Sequence, residues 1–130
     1  MRKLTMVVLI LGLVAFIGLG VNYFVSHYGS ITYQWKANLI NYREYRLLGN
    51  STLNGYVKAN GEISVYILTK EDFGRLKKGE PFKYYKAWEH VKAVEFNNVK
   101  IPEGDYLLVV KNEEKGMQWI SVKLVDKREN

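Results

Sequence analysis

Residues 55–68 read GYVKANGEISVYIL, two β-rich runs on either side of Asn60-Gly61. An Asn-Gly pair between such runs is the strongest short hairpin signal, because a type I′ turn needs positive φ at both central residues. The stretch therefore predicts an antiparallel hairpin that turns at Asn60 and Gly61.

The same reading extends in both directions. ITYQWKANL (31–39) is β-rich, YREYRLL (42–48) alternates ring or aliphatic with charge, and STLNGYVKA (51–59) follows a turn at Gly49-Asn50. Further on, VKAVEF, GDYLLVVKN and MQWISVKLV read as strands, the last two joined by an EEKG turn. KEDFGRLKKGE (70–80) is the short-helix candidate. Thr69 and Asp72 have capping-box spacing, Gly79 can close the helix, and Pro81 prevents its continuation. Some seven or eight short strands, one helical insertion and no βαβ rhythm predict an all-β antiparallel sandwich.

IPEGDYLLVVKN (101–112) places Glu103 and Asp105 around a glycine. Such carboxylates can be an acid/base pair, half a metal site, or a turn. Pro102 fixes φ, Gly104 permits positive φ and Asp suits turns, so the expectation is a turn leading into a strand that starts at Tyr106. YLLVV is apolar on both alternating faces, which predicts a strand covered on both sides. A Ca²⁺ site needs six to eight oxygens, and no Asp-x-Asp-x-Asp-Gly run supplies them.

The chain has 130 residues, a formal net charge of +6 and no cysteine. Disulfides, thiolate zinc sites and cysteine nucleophiles are thereby excluded within it. Residues 4–25, LTMVVLILGLVAFIGLGVNYFV, carry no charge and are apolar all round, long enough for a membrane-spanning helix. Arg2 and Lys3 precede that run and the next charge is Lys36, so the positive-inside rule predicts a cytoplasmic N-terminus and an extracellular C-terminal domain. Tyr23, Tyr28 and Tyr33 would lie near the outer boundary. A cleaved signal peptide is the rival, but signal h-regions are shorter, and Gly18-Leu19-Gly20 is a weak cleavage candidate. The expected order is a basic start (1–3), the span (4–25), a linker (26–31), the β domain (32–126) and a charged tail (127–130).

From about residue 53 to 125 the chain resembles the GOLD-type β-sandwich of the emp24/p24 cargo receptors. The resemblance rests on a strand ending VYIL, the insertion TKEDFGRLKKGEPFKYY, and IPEGDYLLVVKN. There is a weaker similarity to prepeptidase C-terminal sandwich modules. What the resemblance implies is a recognition or packing module without catalytic residues or a cofactor. It does not carry the p24 trafficking role, because the span here would be N-terminal and no heptads follow it.

His27 and His90 lack companions at metal-ligand spacing, and no Gly-x-Ser-x-Gly elbow is present. KYYKAWEHVK (83–92) interleaves Lys83, Lys86 and Lys92 with Tyr84, Tyr85 and Trp88, a candidate surface-binding patch. Trp35, Trp119, Lys77 and Lys78 could extend it; the competing reading is a core face with solvated lysines. Asn50-Ser51-Thr52 is the sole glycosylation sequon, with Asn50 in an expected exposed turn. These readings point to a non-enzymatic single-span protein displaying a β-sandwich. Its expected partners are the lipid bilayer and another envelope protein or itself, with no metal, cofactor, nucleic acid or small-molecule substrate. The alternatives are a pilin-like filament subunit and an envelope hydrolase without a recognisable motif.

Overall fold

In the computed structural model, which describes residues 29–128, Asn60 and Gly61 do not reverse the chain. They lie inside one strand, β3 (Ser51–Thr69), and neither has the positive φ that the turn requires. The expected hairpin is therefore overturned. The other elements are β1 (Ser30–Leu39), β2 (Tyr42–Arg46), α1 (Lys70–Lys77), β4 (Lys86–Ile101), β5 (Tyr106–Asn112) and β6 (Gln118–Arg128). The strands number six among the described residues, because β3 and β4 run through points where the sequence suggested breaks. β1 takes Ser30 and Ile31 from the expected linker, and β6 takes Lys127 and Arg128 from the expected tail. The apolar run 4–25 lies outside the described residues. Among the described residues no helix is long and apolar enough to cross a membrane.

Residues Thr32–Asn130 make one unit, mostly β, around a single nearly closed sheet. The strand order is β1-β6-β3-β5-β2, with β4 also on β3. β4 follows β3 on one side. The other side is shared: β6 pairs with the first half, from Ser51↔Arg128 to Ala59↔Ile120, and β5 with the second, from Ile63↔Asn112 to Thr69↔Tyr106. β5 and β6 therefore lie end to end along β3, and the EEKG segment is the excursion between them.

Burial explains why β3 runs straight through Asn60-Gly61. Ile63 to Leu68 are buried without interruption, as are Leu107 to Val110 of β5. Neighbouring side chains in a strand point to opposite faces, so each run needs cover on both. Ile63, Val65 and Ile67 face the main core with Leu53, Val57, Phe96 and Leu124. Tyr66 and Leu68 face the other way and pack with Leu107 and Val109 beneath Phe73 and Leu76 of α1. A local hairpin with GYVKA offers no equivalent second layer.

A polar latch holds the place where β3 changes partner. The Gly61 amide donates to Gln118 Oε1 (2.7 Å), and Gln118 Nε2 donates to the Glu62 carbonyl (2.7 Å) and to Asn112 Oδ1 (2.6 Å). Asn112 Nδ2 reaches the carbonyls of Ile40 and Gly116, both at 2.8 Å, and of Leu39 at 3.1 Å. Both side chains are buried, and their amides supply the donors and acceptors that the interrupted ladder lacks. Gly61 also allows close approach, since a Cβ there would stand 2.6 Å from Glu114 Oε2.

α1 begins as expected. Thr69 is its N-cap and Thr69 Oγ1 accepts from the Asp72 amide (3.2 Å), while the chain leaves the helix through Gly79 at φ +74°. Thr69→Ala is expected to cost about 1 kcal/mol. A thermal melt should record this as a fall of roughly 5 °C for a domain of this size.

Candidate interaction surface

The segment 83–92 is split by the bends of β4. Lys83, Tyr84 and Tyr85 precede the strand and are exposed; Lys86 opens it. The Lys83 amide donates to Asp72 Oδ1 (3.0 Å) and the Tyr85 amide to the Ile67 carbonyl (2.7 Å), which fastens this stretch between α1 and β3. Asp72 also accepts from Arg75 Nη1 (2.8 Å). The Lys83 amide, and after it Arg75 and Thr69, hold the Asp72 carboxyl below its ordinary value. The Tyr84 ring lies 5.9 Å from Tyr66, the Tyr85 ring 6.1 Å from Tyr106, and Lys86 Nζ stands 5.5 Å from the Tyr85 centroid. A shallow cleft of about 230 Å³ opens here, lined by Thr69, Asp72, Lys83, Tyr84, Tyr85 and Tyr106.

Trp88 does not belong to that surface. It packs edge-on against Phe96 at 5.3 Å and joins the main core. Lys92 is exposed but lies beyond a bulge at His90, whose φ is +55°. The ten-residue patch therefore reduces to Lys83, Tyr84, Tyr85 and Lys86, with Tyr106 added from β5. Trp35 packs partly buried against the core beneath Arg43, whose guanidinium stands 3.9 Å from the ring centroid. Tyr33 is a β1 residue, edge-on to Tyr45 at 5.0 Å with its hydroxyl donating to the Arg46 carbonyl (2.8 Å).

Pro102, Glu103, Gly104 and Asp105 form the link between β4 and β5, with Gly104 at φ +136° and both carboxylates exposed. Among the described residues no group of three or more His, Cys, Asp or Glu is placed to hold a metal ion. Asn50 is exposed in the β2–β3 link at φ +48°, and its amide donates to the Pro102 carbonyl (3.1 Å).

One cluster escaped the sequence reading because its members are far apart in the chain. Ser64, Tyr66, Glu89, His90 and Glu113 meet across β3, β4 and the end of β5. Ser64 Oγ donates to Glu113 Oε2 (2.6 Å), Tyr66 OH to Glu89 Oε2 (2.7 Å), and the His90 ring pairs with Glu62 Oε1 (3.2 Å). Only the backbone amide of His90 reaches Ser64 (3.1 Å). A serine nucleophile needs the imidazole itself on its hydroxyl, so this wiring, with Ser64 and Tyr66 buried and Glu62, Glu89 and His90 exposed, does not pair a nucleophile with its base. Burial, then the Glu89 carboxylate, push the Tyr66 hydroxyl well above the ordinary tyrosine range. No protein-family model matches the chain, and no curated protein sequence matches it.

Proposed function

We propose that the chain is a non-enzymatic, single-span membrane protein that presents its β domain outside the cell for binding to another envelope protein or to itself. The observation that carries this reading is the uncharged run 4–25 directly ahead of a domain with its own core. The reading takes the bent sheet as a GOLD-like sandwich, supported by both halves of β3 feeding one core. The exposed rings of Tyr84 and Tyr85, rimmed by Lys83 and Lys86, are its contact surface, since exposed tyrosines are enriched where proteins meet.

Intact-mass spectrometry of protein extracted from its native membrane tests it. The mass of the full chain, released only by detergent, is the expected result. A mass lacking the first twenty or so residues would replace the anchored reading with a processed, secreted subunit. Sugar-sized increments that vanish on Asn50→Gln would add an exported glycoprotein to it.

A further inference from the structure

The strip just described is not the most charged surface. The outer face of the first half-sheet carries Lys36 from β1, Lys58 from β3, Lys100 from β4, and Lys123 and Lys127 from β6. Alternation decides the facing: β1 is exposed at every second residue from Thr32 to Asn38, and β6 at Trp119, Lys123 and Lys127. Register brings these cations together. Thr52 lies between Lys127 and Lys100, Tyr56 between Lys123 and Glu95, and Lys58 between Ser121 and Ala93. Glu95 is the carboxylate that pairs with the first half of β3, and exposed Glu62 follows at the same alternation beyond Asn60. Asp126 shares β6 with the lysines but is wholly buried on the other side. Two rings accompany the lysines: Tyr56, 4.7 Å from Lys58 Nζ, and Trp119, 45% exposed. α1 packs elsewhere, under the second half of β3 and β5.

A face so rich in lysine fits an anionic partner. The anchored reading above, on which this inference rests, selects which one. Residues 26–29 alone separate the apolar run from Ser30, and an extended chain advances at most about 3.5 Å per residue. The domain would then be held within roughly 20 Å of the bilayer. β1 enters the sheet at the lysine-rich end. Tyr33 bonds the Arg46 carbonyl, and Leu48, two residues on, bonds Asp126, the neighbour of Lys127. We propose that this face, through Lys58, Lys123 and Lys127 with Tyr56 and Trp119, lies on an anionic phospholipid surface. Lysines draw the sheet to the headgroups and amphipathic rings settle at the same level.

The test is lysine acylation, read by mass spectrometry, on the full chain in lipid nanodiscs. Discs of phosphatidylcholine alone are compared with discs holding about 30% phosphatidylglycerol, in low salt and in about 0.5 M salt, where the screening length is a few ångströms. Labelling of Lys58, Lys123 and Lys127 is expected to fall at least about threefold with the anionic lipid and to recover in high salt, while exposed Lys78 and Lys115 stay constant. Equal labelling in both discs overturns the proposal and leaves the anchor standing. A chain that does not enter phosphatidylcholine discs removes the anchored reading instead. Flotation with phosphatidylglycerol vesicles then decides: salt-sensitive binding lost in K58E/K123E supports the face, and no binding overturns it. Protection by a single-stranded oligonucleotide but not by the lipid also overturns it, in favour of nucleic acid.

Discussion

Gly55→Ala is expected to cost at least about 3 kcal/mol, a large share of ordinary domain stability and a fall of roughly 15 °C or more in melting temperature. Gly55 has φ +130°, a region that side chains rarely adopt, with a cost on the order of 1–3 kcal/mol in itself. A Cβ there would stand 1.9 Å from the Lys123 carbonyl oxygen and 2.9 Å from its carbon. Those atoms are backbone of β6, so relief requires moving a paired strand. Gly55 also sits at a shift of register, where Asn54 faces both Asn97 and Asn98 between the pairs Leu53↔Val99 and Gly55↔Phe96. Gly74→Ala is the control with the opposite sign. Nothing lies within 4 Å of its Cβ position inside α1, and alanine there is expected to add about 0.5–1 kcal/mol. Circular-dichroism melts of the two variants check both. A Gly55→Ala protein that melts near the wild-type temperature would refute the close approach of β3 and β6.

Asp126→Asn is expected to stabilise the domain by about 1–2 kcal/mol at neutral pH, the worth of removing an unsatisfied buried charge. Asp126 is wholly buried, and its Oδ2 accepts from the Leu48 amide at 2.6 Å. Its Oδ1 and the nearby Ser51 Oγ are buried without partners. Burial pushes the Asp126 carboxyl above the ordinary carboxylate value, against the pull of the Leu48 amide. A carboxyl whose pKa is raised in the folded state binds its proton more tightly folded than unfolded. Its contribution to stability is therefore full below the unfolded pKa and lost as pH rises through the folded one. Asparagine keeps the acceptor for Leu48 and adds a donor toward Ser51 at every pH. Urea midpoints should show the variant ahead at pH 7 and its lead shrinking as pH falls toward 4. A lead that does not change with pH, or an asparagine variant weaker at pH 7, would count against the buried ionised carboxylate.

These residues also mark how far the sequence could be read. Thr69, Asp72, Gly79 and Pro81 announce α1 because capping acts within one turn of chain. YLLVV announces a strand covered on both sides because its alternation has no polar face. Asp126 gives no such sign: in MQWISVKLVDK it reads as the polar end of a strand, and its burial depends on Leu48, 78 residues away. Trp88 looked like surface beside three lysines. The bulge at His90 sets which side of β4 it faces, and that bulge answers to β3, not to its own neighbours.

By itself, the sequence determined the β class of the domain, its single short helix, its independence of disulfides and the apolar run ahead of it. All of these follow from composition and from interactions within a few residues. Tertiary structure alone decided which edges pair. A local hairpin at Asn60-Gly61 would gain cross-strand side-chain pairs worth at most about 1 kcal/mol each. Burying Ile63 to Leu68 on both faces is worth several times that, at roughly 1.5–3 kcal/mol for each large side chain. The larger effect is non-local, so β3 runs on through its turn sequence and exchanges β6 for β5, with Asn112 and Gln118 closing the gap between them.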